Sequence, residues 1–267
     1  MKTKARNLAL AAIAFLAIGG LAVWLMSHRS NSDDQNYLGE VERTDLGLMT
    51  SLPLYWPLGA DFAEFAQGTG EVPWQRAMLE QDFDLVLLDT LTPIPGLTAD
   101  ESEFDPLAQL DQLAVIQPRG LSPSDNAALD QWVRAGGRLL LVLDPALTGD
   151  YELALGDPRR PVDAALIPPL VAHWGLEVVF DELQAPQRQA KIGELSIEIA
   201  LAGEIRQLDQ AQTCDLSGNG TLAHCQIGAG AAIILADAKI FEDEGSAEQN
   251  GSPELATLLQ FMRFAFP

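Results

Sequence analysis

The chain has 267 residues, of which 16 are Lys or Arg and 38 are Asp or Glu, so its formal net charge at pH 7 is −22. This charge excludes a nucleic-acid-binding protein, since such proteins hold the phosphate backbone with clustered Lys and Arg. Apolar residues make up 48% of the chain and charged residues 20%, a composition that excludes a disordered protein and predicts a substantial core.

Residues 8–26 form the first distinct segment, an apolar run LALAAIAFLAIGGLAVWLM without a charged residue. As a helix, this run would span roughly 28 Å, which is close to the thickness of a bilayer core. The run follows three basic residues, Lys2, Lys4 and Arg6. These charges predict a cytoplasmic N-terminus at residues 1–7, with the bulk of the chain on the periplasmic side of the inner membrane.

A cleaved signal peptide is the alternative for this segment, because it also begins with basic residues. Its apolar region is usually about 7 to 15 residues long and ends in small residues, whereas this run ends in WLMSH. The sequence therefore favours an uncleaved, single-pass anchor. Residues 27–45 are mostly polar and are predicted to be a linker to an extracytoplasmic domain at 46–267.

Six short apolar runs in this domain are predicted to be buried strands. Helix signals separate several of them, and this alternation is typical of an α/β domain. We expect three layers around a mostly parallel sheet, as in flavodoxin-like folds. The predicted strands are 46–52, 84–88, 113–117, 138–143, 176–180 and 231–236.

A possible binding edge follows the first predicted strand, where the chain combines hydroxyl and aromatic side chains. These are Thr50, Ser51, Tyr55 and Trp56. Such groups at a strand end would suit a groove for a ligand or a partner. The alternative is a proline-rich strand exit whose aromatic rings pack on the core.

Two helices carry clear boundary signals. The first is predicted at Pro123–Ala135, because Ser122 is a good N-cap, Pro123 suits the first helical position and Gly136 follows the last turn. The second is predicted from residue 252 to the C-terminus, where apolar residues recur at helical spacing. Both helices are expected to pack an apolar face against the sheet.

The stretch at about 185–228 alternates apolar and polar residues and is predicted to be an antiparallel β insertion. It contains the only two cysteines, Cys214 and Cys225, with Asn219-Gly220 midway between them. Asn-Gly favours a type I′ hairpin turn, because both central residues of that turn need positive φ. Such a turn sets Cys214 directly opposite Cys225, within the Cα separation that a disulfide requires.

A disulfide at this hairpin agrees with an oxidising, extracytoplasmic compartment. The alternative is a reactive or metal-binding pair of thiols, for which the chain offers only three histidines. His224 is adjacent to Cys225 and so points to the opposite face of the strand. We therefore favour the disulfide.

Residues 115–145 read VIQPRGLSPSDNAALDQWVRAGGRLLLVLDP, and residues 228–245 read GAGAAIILADAKIFEDEG. The first run combines a strand that ends in Gln-Pro, a helix that opens with Leu-Ser-Pro, and a Gly-Gly-Arg turn into an apolar strand. Together the two runs resemble the auxiliary, gliding-motility-type (GIFT-like) domain of ABC-type transport systems. The resemblance implies a class I glutamine amidotransferase-like fold, used without catalysis beside an ABC-type permease and ATPase or other envelope proteins.

The sequence lacks the usual signatures of a catalytic site. An amidotransferase-like site needs a nucleophilic Cys on a strand-to-helix turn, but both cysteines belong to the predicted hairpin. The sequence also lacks a Gly-x-Ser-x-Gly motif, a Gly-rich phosphate loop with a Lys, and a His-Glu-x-x-His motif. It therefore predicts neither a catalytic residue nor an organic cofactor.

One group of carboxylates remains, since Asp89, Asp144 and Asp237 each follow an apolar strand. Ligands of parallel sheets bind outside the carboxyl ends of the strands, and three carboxylates there would suit a divalent cation such as Mg²⁺ or Ca²⁺. The alternative is that each aspartate caps the turn after its strand. The strand order decides whether the three side chains meet.

The leading hypothesis is a membrane-anchored, non-catalytic accessory or recognition domain of an ABC-type export system. Two alternatives remain open. One is a metal-dependent envelope hydrolase that uses Asp89, Asp144 and Asp237. The other is an envelope receptor for a small molecule or glycan, whose binding would depend on Tyr55, Trp56 or Asp89.

Overall fold

A computed structural model describes five stretches of the chain, residues 43–59, 72–98, 102–208, 214–242 and 253–267. The predicted N-terminus 1–7, the anchor 8–26 and nearly all of the linker 27–45 lie outside these residues. Among the helices that are described, none is long and apolar enough to cross a membrane.

Helices alternate with strands in the first half of the domain, and strands dominate the second half. The described strands are β1 (Thr44–Thr50), β2 (Phe83–Leu87), β3 (Gln112–Ile116), β4 (Arg138–Val142), β5 (Leu176–Val179), β6 (Gln187–Ile192), β7 (Leu195–Ala200), β8 (Glu204–Gln207), β9 (Cys214–Ser217), β10 (Leu222–Ile227) and β11 (Gly230–Leu235). The described α-helices are α1 (Trp74–Leu79), α2 (Pro123–Ala135), α3 (Pro169–His173) and α4 (Pro253–Ala265).

Seven strands form the central sheet in the order β2-β1-β3-β4-β11-β10-β9. The first five are parallel to one another, and β10 and β9 are added antiparallel. From β1 the chain moves outward to β2 and then returns past β1 to β3, so the direction of winding reverses between β1 and β3. Open α/β sheets bind ligands outside the carboxyl ends of the strands at such a reversal.

Successive side chains of these strands point to opposite faces of the sheet and build two cores. Ile116 and Val142 belong to the first core, which includes residues of α1, α4 and the β6–β7 hairpin. Val115 and Leu141 belong to the second, which includes residues of α2, α3, β5 and β8. The predicted α/β class with a mostly parallel sheet is confirmed, and the sheet has a layer on each face.

Helix α2 has the predicted boundaries, and its N-terminus is fixed by reciprocal hydrogen bonds. The Ser122 hydroxyl accepts from the N–H of Asp125 at 3.0 Å, and the Asp125 carboxylate accepts from the N–H of Ser122 at 3.1 Å. At the other end, Gly136 adopts a φ of 130°. A residue with a side chain would be strained there.

The β-rich region predicted at about 185–228 is divided among three places rather than forming one insertion. The β6–β7 hairpin lies on one face of the central sheet, and β8 pairs with β5 on the other face. The β9–β10 hairpin instead lengthens the central sheet at its edge. The sequence alternation identified the strands but could not show which neighbour each of them joins.

Candidate functional site

Four polar residues follow neighbouring parallel strands at the carboxyl edge of the sheet. Ser51 follows β1, Gln117 follows β3, and Asp144 and Asp237 come two residues after β4 and β11. Because these strands are consecutive in the sheet, the four side chains share one edge. Each is at most 9% exposed, so they form a buried group that we call the strand-end cluster.

Asp144 is hydrogen-bonded to the backbone of two different loops. Its Oδ1 accepts from the N–H of Ala146 at 2.7 Å, and its Oδ2 accepts from the N–H of Ala238 at 2.8 Å. Ala146 lies in the loop after β4, and Ala238 lies in the loop after β11. The carboxylate therefore connects these two loops.

Asp237 also accepts hydrogen bonds from two backbone N–H groups. Its Oδ2 accepts from the N–H of Ala200 at 2.8 Å, and its Oδ1 accepts from the N–H of Lys239 at 2.9 Å. Ala200 is the last residue of β7. Asp237 thus ties the β6–β7 hairpin to the carboxyl edge of the sheet.

A third buried carboxylate, Glu242, lies close to these two aspartates and is 3% exposed. Its Oε1 accepts from the N–H of Gly149 at 2.7 Å and from the hydroxyl of Tyr151 at 3.2 Å. Its Oε2 accepts from the hydroxyl of Thr148 at 2.8 Å. Glu242 therefore fixes the loop that follows β4 against the end of the sheet.

The burial of these acids changes their ionisation. Burial raises the pKa of the Asp144 carboxyl to about 7, against the opposing effect of its two backbone hydrogen bonds. Burial and then the negative charge of Asp144 raise the pKa of Asp237 well above its ordinary value. Burial and then the charge of Glu242 raise the pKa of Tyr151. Protonation of Asp144 is thus expected near neutral pH.

The loop at 145–163 is also fastened to the strand ends by Ser51 and Gln117. The Gln117 Nε2 donates to the carbonyls of Asp144 and Val162 at 3.0 and 3.1 Å, and its Oε1 accepts from the N–H of Asp144 at 2.9 Å. The Ser51 hydroxyl donates to the Gln117 carbonyl at 2.6 Å. The place where the winding reverses is therefore occupied by the protein's own loop.

Asp89, the third predicted aspartate, does not join the other two. It lies beyond the end of β2, and β1 and β3 separate that strand from β4. Three strand spacings correspond to about 14 Å. Asp89 is exposed. The described residues contain no group of three His, Cys, Asp or Glu side chains arranged to hold a metal ion.

The predicted binding edge after β1 is occupied largely by internal contacts. The Thr50 hydroxyl accepts from the N–H of Leu52 at 2.9 Å. The rings of Tyr55 and Trp56 meet edge to face at 4.8 Å, and the Arg76 guanidinium lies 3.9 Å from the centre of the Tyr55 ring. Trp56 remains 45% exposed, so of these side chains it presents the most surface to a ligand.

The predicted disulfide joins Cys214 to Cys225. The two cysteines are direct partners in the β9–β10 ladder. Asn219 and Gly220 have φ values of 57° and 85°, the positive values that a type I′ turn requires. The register inferred from the Asn-Gly turn is confirmed.

Sequence reasoning missed two members of this region, Gln117 and Glu242. Gln117 ends an apolar strand just before Pro118, and that position was a usable signal for a polar residue at the carboxyl edge. Glu242 follows no strand directly and belongs to an acidic run, FEDEG. Nothing in that run distinguishes a buried carboxylate from an exposed one.

Millimolar Mg²⁺ or Ca²⁺ is expected to leave the midpoint of thermal unfolding unchanged. Each carboxylate oxygen of Asp144 and Asp237 already accepts a backbone hydrogen bond, and a cation would have to displace these donors. A ligand at 100 times its Kd would stabilise the fold by about 2.7 kcal/mol, which calorimetry resolves. A cation-dependent rise that Asp144→Asn abolishes and Asp89→Asn retains would contradict this expectation.

Comparison with known proteins gives one family match. A family model described as an ABC-type uncharacterized transport system matches residues 65–193, just under half of the chain. The match supports the resemblance to an auxiliary domain of ABC-type transport systems. The sequence matches no curated protein.

Several solved structures are distantly similar. An exo-beta-1,4-mannosidase from Opitutaceae bacterium strain TAV5 has a TM-score of 0.48 and 13% identity, over 83% of this chain and 36% of that one. A beta-galactosidase from Bacillus circulans sp. alkalophilus has a TM-score of 0.43 and 12% identity, over 83% of this chain and 30% of that one. A cytoplasmic protein from Salmonella typhimurium LT2 has a TM-score of 0.41 and 13% identity, over 83% and 95%. This chain spans about a third of the length of the two glycosidases, and neither activity is transferred to it.

Proposed function

We propose that this chain is a non-catalytic accessory domain of an ABC-type transport system, anchored in the inner membrane by residues 8–26. The family match at residues 65–193 is the observation that carries the proposal. In this reading the domain at 46–267 lies in the periplasm and contacts the permease, the ATPase assembly or another envelope protein. We also propose that the domain has the class I glutamine amidotransferase-like fold that the resemblance implies.

The arrangement of the strand ends supports a role without catalysis. The Ser51 hydroxyl donates to the Gln117 carbonyl and accepts from the N–H of Val162 at 3.4 Å. Gln117 also donates to the carbonyl of Val162, so both residues hold the loop at 145–163 where an open α/β sheet would otherwise bind a ligand. Each carboxylate oxygen of Asp144 and Asp237 accepts a hydrogen bond from a backbone N–H group. The hydrolase alternative needs Asp89, Asp144 and Asp237 to form one site. Two strands, β1 and β3, separate the strand before Asp89 from the strand before Asp144.

The disulfide supports the proposed compartment. Disulfides persist in oxidising environments such as the periplasm and are rare in the cytosol. Cys214 and Cys225 are bonded to each other and are therefore not available as the nucleophile of an amidotransferase-like site. A role in recognition or assembly requires no such nucleophile.

Gentle detergent purification of the tagged full-length protein from its own membranes tests this function. We expect an ATPase and a multi-span permease to remain bound in stoichiometric amounts. A chimera in which an unrelated membrane span replaces residues 8–26 is the control, and it should retain both partners because the domain carries the contact. Recovery of the protein alone, at low and moderate salt, would refute the accessory role.

A further inference from the structure

At the outer edge of β2, no described strand is hydrogen-bonded to the central sheet. β2 is the terminal strand of the sheet and pairs only with β1 among the described strands. Just beyond β2, the N–H of Leu88 donates to the carbonyl of Leu48 in β1 at 2.9 Å. Backbone groups alternate in direction along a strand, so those of Leu85 and Leu87 point away from the sheet.

Apolar side chains are exposed on β2 and in the loop that follows it. Val86 is 37% exposed and Leu87 is 42% exposed, and the two point to opposite faces of the strand. In the following loop, Ile94 and Phe104 are 45% and 62% exposed. These two residues are held opposite each other by two backbone hydrogen bonds of 2.7 and 2.9 Å. β2 and the pair Ile94 and Phe104 thus both present apolar surface.

The opposite edge of the sheet is better protected. The first carbonyl of β9, that of Cys214, accepts a hydrogen bond of 2.6 Å from the side chain of Gln207. The same residue is held to β10 by the disulfide. Natural sheets commonly block or cover their edges, because an open edge recruits other strands. β9 also exposes one apolar side chain, Leu216 at 41%, whereas β2 and the loop after it expose Val86, Leu87, Ile94 and Phe104.

The charge around β2 indicates the chemistry of a partner. Residues 77–118 contain nine acidic residues and no Lys or Arg. Three of them are paired with arginines: Glu80 with Arg76, Asp82 with Arg263, and Asp84 with Arg43. Asp89 is exposed and forms no ion pair with any residue that the structure describes. A second copy of this chain would bring a similarly acidic segment to the edge, whereas a basic segment would be attracted.

We propose that the outer edge of β2, together with Ile94 and Phe104, is a docking surface for an extended segment of a partner protein. The segment carries alternating apolar residues flanked by Lys or Arg, and it adds a strand to the central sheet. Main-chain hydrogen bonds to Leu85 and Leu87 supply affinity, and the apolar side chains supply selectivity. The inference rests on the proposed function, because the partner belongs to the transport assembly.

Site-specific photo-cross-linking in native membranes tests the surface. A photoreactive amino acid is placed at position 87 of the full-length protein, and at position 183 as the control, where Leu183 is 93% exposed in a turn far along the chain. Mass spectrometry then identifies the attached peptide. We expect position 87 to capture an apolar peptide with excess Lys and Arg from another protein, at least about tenfold above position 183.

Two substitutions examine whether the strand edge itself binds. Leu87→Pro removes an outward N–H, which an edge strand tolerates, and Leu87→Lys replaces the exposed apolar side chain. With the photoreactive group moved to position 94, each variant should reduce capture of the same peptide at least about tenfold. The midpoint of thermal unfolding should stay near that of the unsubstituted protein, which verifies that the domain is folded.

The outcomes separate this inference from the proposed function. Capture of a second copy of this chain, or equal capture at positions 87 and 183, would overturn the docking surface. Retention of the ATPase and permease by both Leu87 variants would also overturn it while preserving the accessory role. A basic, apolar peptide from a protein outside any transport assembly, together with loss of the ATPase and permease from the purified full-length protein, would support the surface and refute the accessory role in transport.

Discussion

Replacing both Cys214 and Cys225 with alanine is expected to lower the free energy of unfolding by about 3 kcal/mol. The bond joins residues 11 positions apart, and closing a loop of that length removes conformational entropy from the unfolded chain. Both cysteines are buried, with 9% and 0% of their surface exposed, so their loss also leaves small voids. Urea denaturation followed by tryptophan fluorescence would measure the difference.

The wild-type protein unfolded in the presence of a reductant provides the matched control. It should show most of the loss seen in the double variant, because both lack the covalent bond but the reduced protein keeps its two buried thiols and forms no void. Co-purification of transporter components should be retained by the folded variant, since the hairpin lies at the opposite edge of the sheet from β2. A loss below about 1 kcal/mol would mean that the hairpin retains its order in the unfolded state.

The Cys214–Cys225 pairing was predictable because it depends on a short stretch of sequence. Asn219-Gly220 fixes the turn, and the period of two residues along each strand fixes which residues face each other. The capping of α2 was predictable for the same reason, since Ser122 and Asp125 are three residues apart. Local rules were sufficient wherever the interacting residues are close in the chain.

Strand boundaries were less accurate than the identity of the strands. The first strand was predicted at 46–52, but β1 is Thr44–Thr50. The error arises because Leu52 is buried and looked like a strand residue, although it lies in the turn after β1. An apolar residue in the sequence indicates that the position is buried and does not show whether it lies in a strand. A loop residue that packs on the core therefore gives the same signal as a strand residue.

The strand-end cluster was only partly predictable. Asp144 and Asp237 follow apolar strands in the sequence, and both are indeed at the carboxyl edge. The strand order makes Asp144 and Asp237 neighbours and keeps Asp89 apart from them. Long-range packing decides that order. Two of their four hydrogen bonds come from residues close in the chain, Ala146 and Lys239. The other two come from Ala238 and Ala200, which are 94 and 37 positions away from Asp144 and Asp237. No local pattern contains the information about the two long-range bonds.

The buried carboxylates have a consequence for the dependence of stability on pH. The stability of the folded domain is expected to fall as the pH rises from about 5 to about 8. Burial raises the pKa of Asp144 to about 7 in the folded protein, whereas an unfolded Asp has a pKa near 3.9. Between these values the folded state binds more protons than the unfolded state, so raising the pH favours unfolding. Asp237 acts in the same direction, because its pKa is also raised.

Other acids oppose this trend only at lower pH. Hydrogen bonds from Ser122 and Leu91 help to lower the pKa of Asp125, against the raising effect of its burial. Hydrogen bonds from Arg134 and Trp174 likewise lower the pKa of Asp130 against its burial. A carboxyl with a lowered pKa stabilises the fold above its unfolded value and loses that contribution as the pH falls through the folded value. Between pH 5 and pH 8, the change in stability therefore comes from the acids whose pKa is raised.

Asp144→Asn should flatten this pH dependence. The pKa difference at Asp144 corresponds to up to about 4 kcal/mol between the acidic and the alkaline limit, and an amide does not ionise. At pH 5 the variant should be less stable than the wild type by about 1–3 kcal/mol, because its NH₂ group faces a backbone N–H that a carboxyl oxygen of Asp144 accepts from in the wild type. The difference should shrink, or change sign, by pH 8.

Asp89→Asn is the matched control for this experiment, because Asp89 also follows a strand of the sheet but is exposed. Its urea-denaturation midpoints at pH 5, 6, 7 and 8 should run parallel to those of the wild type, while those of Asp144→Asn should not. If Asp144→Asn kept the wild-type slope, the Asp144 carboxyl would be ionised throughout this interval in the folded protein. Its hydrogen bonds from Ala146 and Ala238 would then outweigh the cost of burying the charge. Asp144 would in that case hold the two loops as an anion at every pH from 5 to 8.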